Sequence, residues 1–296
     1  EAMACSETAL KIGTGPKGKG YSKLFTDMNK VCGGVVEMCE VNTSGALDNL
    51  TGLSTNEQDV GLTSVDAAMY MQNGDENIKE LMAVMSINHN FVHVIVSTQG
   101  YTVETKKWGG ISKEVTTEYI RKFSDLRGKT VALVGSGQFI GRKLNDQLQL
   151  GMFLSDVATD AAAFDMVKKG GAHAMMTVSG WPSGPVSGLN SGENLTLVPF
   201  DVVINPPYLV KPVNYKNLGV YNVAAVGVPN VLMSRPFKAG GEKATMVSRL
   251  KNCLKSNMVK MQEGSFQAAW KEAKDIENVY GWNKFQASGE TRTAKK

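Results

Sequence analysis

Three histidines in 296 residues leave little material for histidine-based chemistry. The chain also lacks a Gly-x-Ser-x-Gly elbow, a His-Glu-x-x-His helix and any pair of carboxylates brought together by local spacing, so an enzyme reading gains no support. No Cys-x-x-Cys spacing occurs among the four cysteines, which removes the usual zinc and dithiol redox arrangements and leaves three complete pairings open. Charge is not blocked: the net +4 is spread along the chain, and nothing favours nucleic acid as a partner. Apolar runs such as Phe91 to Val96 are strand-sized, far short of the ~20 residues needed to cross a bilayer. An initiator methionine is missing as well; the opening Glu1-Ala-Met-Ala-Cys5 fits either a secretory leader that has been removed or a few residues added ahead of the natural chain.

What is present is ordinary globular material, 42% apolar and 20% charged, long enough for one large or two modest domains. The most informative stretch runs from Asp125 to Leu150. Val131 to Val134 form a buried strand, Gly135-Ser136-Gly137 a glycine-rich loop, and Leu144, Leu148 and Phe153 recur at roughly helical spacing. Backbone N–H groups at such a helix start favour an anionic or accepting ligand. A nucleotide is not expected, because Ile140 stands where a dinucleotide fingerprint needs its third glycine and no Walker lysine follows. No cofactor is expected.

The same design recurs earlier. Ala9 to Ile12 read as a strand, Gly13 to Gly20 as a glycine-rich loop, and Tyr21, Leu24, Phe25 and Met28 as a helix. Val35 to Val41 and Asp59 to Leu62 are further strands. Thr43 or Ser44 stands where a helix N-cap belongs, and Leu47, Leu50 and Leu53 mark the following helix. Leu81 to Ser86 and Phe91 to Ser97 read as two separate strands, Ala172 to Val178 as another, and Met246 to Met261 as an amphipathic helix. His89 and His93 are four residues apart, a metal spacing on a helix, but the segment is strand-like and has no Glu or Cys partner, so no metal is expected. Trp181, set among glycines and prolines, projects from a loop and offers a flat apolar wall.

Phe123 to Leu133 resembles the opening of the second lobe in periplasmic solute-binding proteins of the type 2 fold. Ile12 to Tyr21, Glu40 to Leu50, Asp59 to Asp66 and Val223 to Leu232, taken in order, are similar to the TAXI receptors of TRAP transporters. The resemblance implies an α/β fold of two lobes, each a mostly parallel sheet flanked by helices, joined by a two-strand hinge that closes on the ligand. Lobe 1 would comprise 1–96 and 229–296, and lobe 2 would comprise 97–228. It further implies a periplasmic, monomeric, non-enzymatic receptor with an interlobe cleft, which hands a small organic acid or an amino acid such as glutamate to membrane permease subunits.

The residues placed nearest the ligand, by this resemblance together with the strand-end loops, are Thr14, Gly15, Tyr21, Thr43, Ser44, Asn49, Ser64 and Asp66 from lobe 1. From lobe 2 they are Ser136, Gly137, Gln138, Phe139, Ser179 and Trp181. One departure weakens the carboxylate expectation: Gln138-Phe139-Ile140 replaces the small hydroxyl residues that help grip an anion. Fifteen methionines, with Trp181 and Phe139, favour an apolar or aromatic ligand as the alternative. Related sequences carry cysteines around the Gly33-Gly34 turn, which points to a Cys32–Cys39 disulfide in an oxidising compartment. Cys5 would then pair with Cys253, stay free or carry a lipid.

Overall fold

The computed structural model describes residues 4–273 and 282–286. Glu1 to Met3, which enter the leader reading, lie outside them. The chain divides into two packed units, Glu1–His89 with Val228–Lys296 and Asn90–Gly227. Both divisions, at 89/90 and 227/228, fall inside long strands; the resemblance places them at 96/97 and 228/229.

In the first unit, strand β1 (Leu10–Gly13) leads to helix α1 (Gly20–Cys32), β2 (Met38–Val41) to α2 (Ala46–Ser54), and β3 (Val60–Ser64) to α3 (Val65–Met71) and the short α4 (Glu76–Lys79). β1 lies between β2 and β3, parallel to both, the arrangement expected of strands joined by helical crossovers. Next comes β4 (Met82–Ser97), which continues into the second unit. It is one strand, not the two expected. Ser86, Asn88, His89 and Asn90 interrupt the apolar pattern, yet Asn88 Oδ1 accepts from Asn230 Nδ2 at 3.0 Å and the His89 N–H donates to Glu272 at 2.8 Å, so these polar groups are satisfied within a strand.

The second unit adds a hairpin of β5 (Tyr101–Lys107) and β6 (Ser112–Glu118), which the sequence reading did not anticipate. It is followed by β7 (Thr130–Val134), α5 (Gly137–Leu148), β8 (Phe153–Val157), α6 (Asp160–Lys168), β9 (Ala174–Gly180), α7 (Gly184–Ser187), β10 (Leu195–Leu197) and β11 (Leu209–Tyr215). β7 sits between β8 and β9, parallel to both, while β4 runs antiparallel to β9. Phe153 does not extend the helix as expected: α5 stops at Gln149, whose φ of 49° is left-handed, and Phe153 opens β8. β12 (Val220–Ser234) pairs with β11 in the second unit and, after Val228, with β3 in the first.

Helix α8 (Glu242–Glu263) closes the first unit. Its Val247, Leu250 and Leu254 join Leu24, Phe25 and Met28 of α1 and Leu10 and Ile12 of β1 in one core. Each such buried side chain contributes about 1.5–3 kcal/mol by removal from water. The buried Asp27 carboxylate on α1 accepts from Trp270 Nε1 at 2.9 Å and from the Gln267 N–H at 2.8 Å, pinning the segment after α8. Asp59, just before β3, accepts from the Lys11 N–H at 2.9 Å and from Lys243 Nζ of α8 at 2.8 Å. A second core, including Phe91, Ile95, Ala132, Val134, Phe164, Met175 and Tyr215, fills the other unit.

The disulfide expectation is corrected. The bridges are Cys5–Cys39, with Cα atoms 5.7 Å apart, and Cys32–Cys253, 6.0 Å apart. Cys32 ends α1 on the face that packs against α8, so it meets Cys253 there. The chain does turn at Gly33-Gly34, where the Val35 and Val36 N–H groups donate to the Cys32 carbonyl, but Val36 then enters the core and Cys39 is carried on to β2, away from Cys32. Cys39 instead lies on β2, next to the segment that carries Cys5 into β1. With both bridges formed, Cys5 is neither free nor lipidated on sulfur.

Candidate functional site

Both units direct loops from the carboxyl ends of parallel strands, the place where open α/β sheets bind ligands. In the first unit these loops hold two polar clusters. One is built around the fully buried Asn49 of α2. Its Nδ2 donates to the carbonyls of Thr14 (2.5 Å) and Leu62 (2.7 Å), while its Oδ1 accepts from Gln58 Nε2 at 3.3 Å. The Thr43 hydroxyl lies 2.7 Å from Asn49 Oδ1 and 2.8 Å from the Thr14 carbonyl, and gives its hydrogen to one of them. The Thr14 hydroxyl, itself buried, donates to Glu40 Oε1 at 2.8 Å, and Asn42 Nδ2 donates to the Gly15 carbonyl at 3.0 Å.

Thr14, Gly15, Thr43 and Asn49 are thus brought together, but their polar groups are engaged with one another and fix the loops after β1 and β2. Neither Thr43 nor Ser44 caps α2. Gly45, at φ 135°, holds that position, and the Ser44 hydroxyl and N–H both donate to Asp48 at the surface.

The other cluster gathers Tyr21, Ser64 and Asp66 with two residues not anticipated from sequence, Asn88 and Asn230. Tyr21 Oη donates to Asn230 Oδ1 at 2.8 Å, and Asn230 Nδ2 donates to Asn88 Oδ1 at 3.0 Å. Asn230 lies opposite Ser64 on the β12–β3 ladder, and the Asp66 carboxylate accepts from the Ala67 N–H at 2.8 Å. Desolvation of the Tyr21 hydroxyl raises its pKa above the usual range, and the Asp66 carboxylate adds to that, so the phenol stays a neutral donor. The sequence signal for Asn230 was available, since it is an amide inside an otherwise apolar strand, whereas Asn88 stands among Ser86, His89 and Asn90.

In the second unit the loop after β7 turns at Gly135, φ 54°, and exposes Ser136 at the start of α5. Gly137 packs against β9: a Cβ there would lie 2.7 Å from the Met176 carbonyl oxygen. Its glycine identity therefore serves helix-to-strand approach, and no ligand is needed to explain it. Gln138 and Phe139 are half-buried in the first turn of the helix, with the Gln138 N–H donating to the Gly135 carbonyl at 3.0 Å.

Ser179 and Trp181 sit at the end of β9. The Trp181 ring is 44% exposed, and its Nε1 donates to the Asn214 carbonyl at 3.1 Å. The hydroxyls of Ser179 and Ser183, on either side of Trp181, are buried with no hydrogen-bond partner among the described residues.

This loop is anchored by a buried chain of hydrogen bonds. The Ser183 N–H donates to Tyr215 Oη at 2.8 Å, Tyr215 Oη is 2.6 Å from His93 Nε2, and His93 Nδ1 is 2.9 Å from the Phe91 carbonyl. A carbonyl can only accept, so Nδ1 carries the hydrogen, and Nε2 of the neutral ring accepts from Tyr215. Burial pushes His93 down to about 4 and Tyr215 up to about 12. Both His93 ring nitrogens are occupied by this network. His89, in the first unit, has Nδ1 3.7 Å from Glu272.

Two surface depressions of about 320 and 300 Å³ lie elsewhere, one lined by residues such as Val36, Glu242 and Arg249 and the other by residues such as Tyr119, Arg121 and Leu197. Neither includes a residue expected at the ligand, and both are too open to define a site.

The sequence matches no protein-family model and no curated protein. Among solved structures, a histidine kinase sensor domain with similarity to periplasmic binding proteins aligns with TM-score 0.50 at 13% identity, covering 90% of this chain and 98% of that one. An ancestral arginine-binding protein bound to arginine aligns at 0.48 with 14% identity, covering 90% and 97%. The GluR0 ligand-binding core from Nostoc punctiforme in complex with L-glutamate aligns at 0.46 with 13% identity, covering 84% and 93%. At these identities the likeness concerns architecture, and the chain carries the two-lobed α/β fold of the periplasmic binding proteins.

Proposed function

We propose that this chain is an extracytoplasmic solute-binding receptor of the TAXI kind, a monomer that takes up a small organic acid or an amino acid such as glutamate and delivers it to a TRAP-type membrane permease. The observation that carries the reading is the end of β9. There, two buried hydroxyls without partners among the described residues, Ser179 and Ser183, flank the half-exposed Trp181. A buried polar group left unmet costs about 1–3 kcal/mol, a cost that a bound solute with accepting and donating atoms offsets. The parallel β7 leads to the start of α5, whose N–H groups favour an anionic group on that solute. Two disulfides fit an oxidising compartment.

A second reading has its own support. Phe139 and Trp181 present aromatic surface where hydroxyl side chains would better serve a carboxylate, which favours an apolar or aromatic ligand. Native mass spectrometry of protein purified without refolding separates the two readings. A co-purifying mass of an organic acid or amino acid supports the first, and a lipid or aromatic compound the second. Protein that carries nothing and gains nothing from a panel of such solutes sinks both.

A further inference from the structure

The β5–β6 hairpin raises a question that solute binding does not answer. Among the described residues its strands pair only with each other, and every residue of β6 is exposed. An isolated two-stranded ribbon is marginal in water, so its length is not explained by stability. At its tip Trp108 is 84% exposed and Ile111 91%, with Val115 60% exposed on the following strand. Trp108 adopts φ 54°, a left-handed conformation that glycine or asparagine takes with far less strain. Turn chemistry therefore does not account for a tryptophan there.

The charges around the tip point to the partner. Residues 105–113 carry three lysines and no acid, with Glu104 and Glu114 on either side. Lys106 and Lys113 lie directly opposite each other on the ladder, a like-charge pairing that the Glu104 carboxylate relieves on the Lys113 side alone. Lys113 reaches Glu104 at 3.2 Å and Lys107 pairs with Glu114, whereas Lys106 has no ion-pair partner among the described residues. Two apolar side chains at a tip cannot supply the ~800 Å² per partner of a stable protein interface. They suffice for the headgroup region of a bilayer, where tryptophan prefers to lie and lysines meet anionic lipid.

We infer that the Trp108–Ile111 tip is a membrane-docking element, which inserts its two apolar side chains among anionic phospholipid headgroups while Lys106 contacts the lipid phosphates. The inference stands on the hairpin alone and is independent of which solute is bound.

The test is co-sedimentation of the full chain with vesicles of phosphatidylcholine alone or mixed with phosphatidylglycerol. Binding to the mixed vesicles, weakened by salt, is expected. Lys106→Gln should lower it roughly fivefold, equivalent to about 1 kcal/mol per lysine near an anionic surface. Trp108→Ser with Ile111→Ser should lower it roughly tenfold or more, given the apolar area withdrawn. Brominated-lipid quenching of tryptophan fluorescence, present in the wild type and absent in Trp108→Phe, reads the insertion without relying on a weakened variant. Equal binding to both vesicle types, no binding, or no Trp108-dependent quenching overturns the inference. Sedimentation only with vesicles that contain a membrane protein overturns it in favour of a protein partner.

Discussion

Tyr215 donates its hydroxyl hydrogen to Nε2 of the buried His93 across 2.6 Å, and the same oxygen accepts the Ser183 N–H at 2.8 Å. A residue on β4 and one on β11 thereby hold the loop that presents Trp181. This geometry requires a neutral imidazole, because a protonated ring would turn a second donor toward the Tyr215 hydroxyl and leave a charge buried.

Acid should therefore loosen the second unit in a defined window. The His93 pKa falls from 6.5 to about 4 on folding. Above pH 6.5 neither the folded nor the unfolded chain binds the proton, and the contribution is complete. As pH falls below 6.5 the unfolded chain takes it up first, so stability drops until about 4, by on the order of 3 kcal/mol in total. Urea unfolding of wild type and His93→Gln across that range checks this. The wild type should lose more stability than the variant, and parallel curves would remove His93 from the account.

The two disulfides should differ in weight. Cys32–Cys253 spans 221 residues and Cys5–Cys39 spans 34. In the chain-entropy model the longer bridge contributes about 5 kcal/mol and the shorter about 4. Replacing Cys32 and Cys253 together by alanine should thus lower the urea midpoint more than replacing Cys5 and Cys39. Peptide mapping without reduction should recover the two linked pairs; a Cys32–Cys39 peptide would restore the expectation from sequence.

Strand ends and glycine-rich loops were legible because they depend on local composition: apolar runs, punctuating glycines and helical spacing place β1, β3, β7 and their loops within a few residues. What failed depends on partners distant in sequence. Nothing near Asn88 announces that Asn230 will satisfy it, so β4 reads as broken. Nothing near Cys39 announces Cys5, and a nearby turn suggests the wrong pairing. Thr14, Thr43 and Asn49 are polar residues at strand ends whether they grip a solute or each other; only the hydrogen bonds decide, and these run among themselves. The β5–β6 hairpin was missed because its alternation carries few apolar residues, although Gly109-Gly110 between runs of β-favouring residues is a turn signal.

Asn49 should accordingly behave as a structural residue. Asn49→Ala strips donors from the Thr14 and Leu62 carbonyls in a buried setting, costing roughly 2 kcal/mol or more. Ser44→Ala, which removes a surface bond to Asp48, should change stability by less than about 0.5 kcal/mol. Urea denaturation of the two variants distinguishes them, and a neutral Asn49→Ala would show that the loop after β1 has another support.

The ligand itself can be located with a pair of variants chosen to leave the fold intact. Gly137 is unsuitable for adding charge, since any Cβ there meets the Met176 carbonyl oxygen at 2.7 Å and a loss of binding would be confounded by a loss of packing. Ser136 is exposed and makes no side-chain cap, so Ser136→Asp places a carboxylate at the helix start, where it also suits the N-cap and the helix dipole. If the solute's anion uses that helix start, affinity should fall by at least ~2 kcal/mol, about the value of a charge-assisted hydrogen bond. If the ligand is apolar, Ser136→Asp should be nearly silent. Trp181→Ala should then remove most of the affinity, and added salt should leave binding unchanged or slightly stronger. Calorimetry on both variants with the solute recovered by mass spectrometry reads the difference directly. Should neither substitution alter binding while thermal unfolding stays that of the wild type, the solute does not lie at the carboxyl ends of β7 and β9.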